Sequence, residues 1–166
     1  MTRRSVNAAL AAAPILVGAA RVALGVFWLL EGILKYRAGF GAADIGFVID
    51  GAANNPRVPG YFAAFADTVM RPLPALFGFA IPLLETGLGV VLILGVLTRV
   101  AAAMSIVTLL LYWSSDQLIW QYPVMAILSV VVLAWPVAAR ALSVSTVAER
   151  RIARLRTAPG RLRDWL

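Results

Sequence analysis

The sequence contains no cysteine and no histidine. Disulfides, thiol redox chemistry, iron–sulfur clusters, zinc sites built from these residues and histidine-ligated haem are therefore excluded. Charged residues are also scarce, since they make up 14% of the 166 residues. We expect no metal ligated by the chain and no covalently bound cofactor.

Hydrophobic residues, in contrast, make up 61% of the chain, and its mean hydropathy is +0.86. This composition lies far outside that of soluble globular domains and suits a lipid bilayer as the surrounding solvent. A membrane-spanning helix needs about 20 mainly apolar residues. The sequence therefore predicts an all-α, polytopic membrane protein with a four-helix transmembrane bundle in residues 1–142.

Four apolar runs supply the predicted spans, at about 14–34, 74–98, 100–113 and 122–137. The predicted outer loop, 36–73, separates the first two spans. Two sets of apolar residues recur at helical spacing within this loop, which predicts two short interfacial helices. The first set is Ile45, Val48, Ile49 and Ala52, and the second is Tyr61, Phe62, Phe65 and Val69.

The distribution of positive charge predicts the orientation. The formal net charge is +7, and lysine and arginine total 15. Outside the predicted spans, ten of them lie on the side of the membrane that carries both termini and four on the other, so the positive-inside rule places both termini in the cytoplasm. Residues 143–166 form a predicted basic amphipathic tail on the anionic inner leaflet. We accordingly expect the lipid bilayer, rather than nucleic acid, as the partner of this charge.

Among the charges inside predicted spans, Arg21 and Glu85 lie deepest. A charge in a span costs several kcal/mol unless it is paired or hydrated. The depths of the two residues differ by only about 5 Å at helical rise, so we expect them to pair and form an intramembrane polar site. An alternative is that this pair only fixes the register of the helices.

An outer polar rim is predicted above this site. Glu31 lies one turn before Lys35, and both should face the residues that follow the third span, Asp116 and Gln117. Glu31 and Lys35 also fit an ordinary interfacial pair, so a purely structural role stays open. No nucleotide-binding, metalloprotease or nucleophile-elbow motif is present in the sequence.

Two segments resemble the DoxX family. Arg21-x3-Gly25 followed by Glu31-Gly32-Ile33-Leu34-Lys35 is similar to the first-helix pattern of the family. The segment from Glu85 to Arg99 is similar to its second-helix pattern, which ends in LG-x2-TR. The family motif residues are Gly25, Gly32, Gly89, Gly95, Thr98 and Arg99.

Residues 55–60, with their long loop, resemble the DoxD-like branch, which is related to the small membrane subunit of thiosulfate:quinone oxidoreductase. The resemblance covers roughly residues 14–140. It implies a four-helix cell-membrane subunit linked to quinone-dependent redox or to respiratory or sulfur metabolism, with partner subunits and with quinone as the candidate ligand. Two other functions stay open: a structural or assembly subunit of a larger membrane complex, and, less favoured because the spans show no inverted repeat, a small transporter.

Overall fold

Seven α-helices make up most of the part of the chain that this computed structural model describes, residues 3–140, 143 and 144, with side chains from residue 13 onward. No strand occurs in that part, which confirms the all-α prediction. The helices are α1 (Arg3–Ala38), α2 (Ala42–Asn54), α3 (Gly60–Phe65), α4 (Pro74–Leu94), α5 (Thr98–Ser114), α6 (Gln121–Ala134) and α7 (Pro136–Ala139).

Helices α1 and α4 pack against each other along glycines of the predicted family motif. A Cβ atom built on Gly25 would lie 2.8 Å from Ile93 Cγ1, and one built on Gly89 would lie 2.6 Å from the Leu29 backbone nitrogen. Small residues allow such close approach of two membrane helices. The order of these contacts shows that the two helices are antiparallel and fixes their register.

The bundle core lies between α1, α4, α5 and α6, and a chain of hydrogen bonds runs through it from Trp28. The indole nitrogen of the fully buried Trp28 donates to Ser105 Oγ at 2.7 Å, and Ser105 Oγ lies 2.8 Å from Ser129 Oγ. These bonds connect α1, α5 and α6 and satisfy polar groups that water cannot reach. The surrounding buried residues are Leu24, Leu88, Leu92, Ala101, Leu109, Tyr112, Tyr122 and Met125.

The 36–73 loop contains two helices as predicted, α2 and α3, and their interfacial position stays a prediction. Helix α3 continues into a π-helical turn, Ala66–Met70, which the apolar spacing did not predict. Helix α2 begins where Asp44 Oδ2 accepts a hydrogen bond from the Gly41 N–H at 2.8 Å. The two helices share an apolar cluster that packs on the first half of α4: Ile45, Ile49, Ala52, Val58, Phe62, Ala66 and Met70.

In the described part of the chain, two helical segments are long and apolar enough to cross a membrane, Ala13–Ala38 and Pro74–Leu94. Helices α5 and α6 are apolar but shorter, with 17 and 14 residues. Two long apolar helices and two shorter ones are thus present among the described residues, whereas the count of four spans stays a prediction.

The predicted fourth span, 122–137, is interrupted. Helix α6 ends before Trp135, and the short α7 begins at Pro136, because a proline lacks the N–H that a continuing helix needs. Apart from Ser143 and Val144, the predicted basic tail, 143–166, lies outside the described residues.

Candidate functional site

A buried carboxylate in the middle of α4 forms the centre of the candidate site. Glu85 is fully buried, and its Oε1 accepts hydrogen bonds from Lys35 Nζ at 2.7 Å and from the Tyr112 hydroxyl at 2.5 Å. Its Oε2 is also buried and has no hydrogen-bond partner among the described residues. Three helices, α1, α4 and α5, therefore each supply one member of a polar cluster inside an apolar bundle.

Lys35 lies in the last turn of α1 and connects this cluster to its surroundings. Its ammonium is 3.5 Å from Glu31 Oε2, one turn earlier on the same helix. It also lies 5.9 Å from the Phe40 ring centre and 5.5 Å from the Tyr112 ring centre, within the range of cation–π attraction. The Lys35 side chain is 19% exposed, whereas Glu85 is not exposed at all, so the lysine faces open space and the carboxylate lies behind it.

That open space is a cavity of about 380 Å³ between α4 and α5 and the α2–α3 segment. Both hydrogen-bond donors to Glu85, Lys35 and Tyr112, line it. Cavities of this size with apolar walls and a few polar groups are typical of small-molecule sites. The aromatic wall is Phe40, Phe62, Phe65 and Phe77, the other polar residues are Thr108, Ser115 and Gln117, and the remaining lining is Ile45, Val48, Met70, Ala80, Ile81, Leu84 and Leu111.

Side chains of the α2–α3 segment are tied to the α5–α6 turn at this end of the bundle. Asp116 Oδ2 accepts a hydrogen bond from Asn55 Nδ2 at 2.7 Å and lies 2.6 Å from Arg57 Nη2. The hydroxyls of Tyr61 and Ser114 are 2.6 Å apart. The α2–α3 segment and the α5–α6 turn, both predicted to lie outside the membrane, therefore contact each other, and they close one side of the cavity.

The predicted outer rim is divided between two places. Glu31 and Lys35 form the predicted pair, and Gln117 lines the same cavity as Lys35. Asp116 instead bonds to the α2–α3 turn, through Asn55. Two of the four rim residues, Lys35 and Gln117, thus line the cavity, and the four do not form one continuous polar patch.

The predicted ion pair between Arg21 and Glu85 is wrong. Arg21 Nη1 instead donates to the backbone carbonyls of Leu92 and Ile93, the latter at 3.0 Å. The last carbonyls of a helix lack partners within the helix and carry partial negative charge, so a guanidinium satisfies both needs there. Arg21 stabilises the end of α4, and Lys35 is the charge that pairs with Glu85.

The error has a geometric cause. The predicted depths assumed that the end of α1 is level with the start of α4. In the structure, α1 ends at Ala38, and a Cβ atom built on Gly78, one turn after the start of α4, would lie 2.9 Å from the Ala42 backbone nitrogen. Helix α4 therefore extends past the end of α1, and α2 packs against the extra length. This offset brings Lys35, rather than Arg21, to the level of Glu85.

The second-helix motif, from Glu85 to Arg99, includes the C-terminal end of α4, which Arg21 also contacts. Gly95 has a left-handed backbone (φ 71°), and its N–H bonds to the Val91 carbonyl at 2.9 Å, while Val96 N–H bonds to the same carbonyl at 3.1 Å. This pattern is typical of a helix that ends at glycine. Thr98 then begins α5 and is buried, and Arg99 follows it. These motif residues build the α4–α5 turn and lie apart from the cavity.

Tyr112 was missed by the sequence analysis, although it donates the shorter hydrogen bond to Glu85. It lies in the apolar run of the third predicted span, where a tyrosine carries no charge to mark it. Its hydroxyl was the available signal, because a polar group within a span needs a partner. The phenylalanines of the cavity wall gave no comparable signal, since apolar residues are common throughout the chain.

Residues 16–115 match the DoxX family profile. The match covers more than half of the chain and includes α2, α3, α4 and α5, the larger part of α1 and both motif segments. No curated protein and no solved structure matches the chain. With its apolar helices and its glycine-packed α1–α4 pair, this membrane protein belongs to the DoxX family.

Proposed function

We propose that this protein is an integral membrane subunit of a quinone-linked redox complex and that its cavity binds the ring of a quinone-type molecule. The observation that carries the proposal is the 380 Å³ aromatic cavity whose polar wall includes Lys35 and Tyr112, both bonded to the buried Glu85. Membership of the DoxX family supports the membrane setting.

The chemistry of the cavity suits such a ring. A quinone ring is flat and largely apolar, with oxygen atoms at opposite edges, and aromatic side chains pack well against flat rings. Phe40, Phe62, Phe65 and Phe77 supply these packing surfaces. A lysine ammonium supplies a hydrogen-bond donor for one oxygen edge.

Electron transfer would require other components. The chain has no cysteine and no histidine, so electrons must pass through the bound ring and a partner subunit rather than through a metal or thiol of this protein. The resemblance of residues 55–60 to the DoxD-like branch points to sulfur metabolism as the setting of this complex.

The proposed arrangement in the cell membrane has four crossings, α1, α4, α5, and α6 continued by α7, with both termini in the cytoplasm. Helix α5, with 17 residues, is about 25 Å long at helical rise, a few ångströms short of a typical hydrocarbon core. The excess of lysine and arginine near the termini supports this orientation. The cavity then opens near the outer face.

The test is to purify the protein from its native membranes in lipid nanodiscs and to identify bound quinones by mass spectrometry. Ala80→Trp fills the cavity from α4 and should remove the quinone. Leu83→Trp adds the same side chain at an exposed position of the same helix and should keep it. Absence of quinone from the unmodified protein contradicts the proposal, and a stable partner protein without quinone would favour an assembly role.

A further inference from the structure

Two polar groups of the cavity wall, those of Lys35 and Tyr112, bond to one atom. Lys35 Nζ and the Tyr112 hydroxyl oxygen both lie within 2.7 Å of the same atom, Glu85 Oε1. A single oxygen atom of a ligand can therefore lie within hydrogen-bond distance of both. The ring and the ammonium are also in contact, since Nζ is 5.5 Å from the Tyr112 ring centre.

The hydrogen atoms on these groups define what they offer to a ligand. Tyr112 donates its only hydroxyl hydrogen to Glu85, so its oxygen can act towards the cavity only as an acceptor. Lys35 has three N–H groups, of which one is directed to Glu85 and another to Glu31. The third is left for the cavity. At Lys35 and Tyr112 the wall thus presents one donor and one acceptor side by side.

Two other lining hydroxyls add acceptors but no donor. Thr108 Oγ1 donates to the Met104 carbonyl at 2.9 Å, and Ser115 Oγ donates to the Tyr112 carbonyl at 3.0 Å, so their oxygens, like that of Tyr112, can act towards the cavity only as acceptors. The amide of Gln117 carries donors and an acceptor and therefore does not discriminate between ligand groups.

We infer that the cavity selects a ring that bears a hydroxyl group, and hence the hydroquinone form over the quinone form. An aryl hydroxyl accepts from Lys35 and donates to the Tyr112 oxygen, so it satisfies both. A quinone carbonyl accepts from Lys35 but leaves the tyrosine oxygen unsatisfied in an apolar cavity, which is unfavourable. This inference rests on the proposed function, because it specifies the ligand of the same cavity.

The experiment compares three ligands that share one trimethyl-substituted ring by isothermal titration calorimetry under anaerobic conditions. The probes are trimethylhydroquinone, trimethylbenzoquinone and the dimethyl ether of the hydroquinone, each added to the full-length protein in nanodiscs. The hydroquinone should bind about tenfold more tightly than either of the other two, the effect of one satisfied buried hydrogen bond.

Two variants assign the preference to the tyrosine oxygen. Tyr112→Phe should weaken hydroquinone binding about tenfold and leave binding of the ether nearly unchanged. Because each ligand is compared between the two proteins, unequal partition of the ligands into lipid cancels. Tyr61→Phe removes a hydroxyl that bonds to Ser114 outside the cavity lining and should leave the preference intact.

The outcomes separate this inference from the proposed function. If the quinone or the ether binds the unmodified protein as tightly as the hydroquinone, the hydroxyl preference is overturned while ring binding in the cavity stands. If none of the three probes binds, the proposed function fails and the inference fails with it. Unequal binding that survives Tyr112→Phe unchanged also overturns the inference, because the tyrosine oxygen is then not its cause.

Discussion

Replacing Lys35 by methionine is expected to leave the buried Glu85 carboxylate without its counter-charge. The two groups are 2.7 Å apart, the carboxylate is fully buried, and its second oxygen has no hydrogen-bond partner among the described residues. Removing one partner of a buried ion pair typically costs 3–5 kcal/mol. Tyr112 still donates to Glu85 and the lysine is partly exposed, so we expect a loss near the lower limit, about 3 kcal/mol of unfolding free energy.

A double-mutant cycle measures the pair itself. Glu85→Leu removes the carboxylate, and the combined Lys35→Met/Glu85→Leu protein has no stranded charge at position 85, so it should be more stable than Lys35→Met alone. We expect a coupling energy of about 1.5–3 kcal/mol, the range of a hydrogen bond between charged groups. The measurement is reversible unfolding by SDS in mild-detergent micelles, followed by far-UV circular dichroism.

The matched control is the cycle between Arg21→Met and Glu85→Leu. The carbonyls that Arg21 contacts belong to Leu92 and Ile93, which lie two turns beyond Glu85, about 10 Å along α4. Changes at such separation should add within about 0.5 kcal/mol. Strong coupling in the Arg21 cycle together with additivity in the Lys35 cycle would refute the pairing argued from the structure.

Three further predictions concern the helix contact, the orientation and the redox role. Gly89→Ala should cost about 1–3 kcal/mol of unfolding free energy, since its Cβ would lie 2.6 Å from the Leu29 backbone nitrogen. Gly87→Ala has open space around its Cβ and should be neutral or stabilise the protein by up to about 1 kcal/mol. Equal effects of the two changes in the same SDS titration would contradict the close α1–α4 contact. Single cysteines at Asn54 and Gln117 should react with a membrane-impermeant thiol reagent in intact cells, and those at Leu97 and Arg156 should be protected; labelling of position 156 would reverse the orientation. Glu85→Gln should assemble normally but slow electron transfer from the purified native complex to a soluble quinone analogue, and unchanged turnover with normal assembly would exclude a role for the carboxylate.

The sequence by itself was sufficient for the class of protein and most of its elements. Apolar runs and their spacing predicted an all-α membrane protein, and they located α2 and α3 within the 36–73 loop, because helical periodicity is a local property of the chain. The motif around Gly25, Glu85 and Gly95 identified the DoxX family, because a motif is a property of the sequence. The same reasoning marked Glu85 as a buried charge that needed a partner.

The identity of that partner depended on the tertiary structure. The predicted pairing of Arg21 with Glu85 came from counting residues from the end of each helix. The relative height of α1 and α4, however, is set by backbone contacts at Gly25 and Gly89, and counting along one helix does not reveal these contacts. The cavity depended on tertiary structure for the same reason, since its wall combines residues that are far apart in the chain. Tyr112 contacts Glu85 from a helix whose rotation is fixed only by packing of the whole bundle.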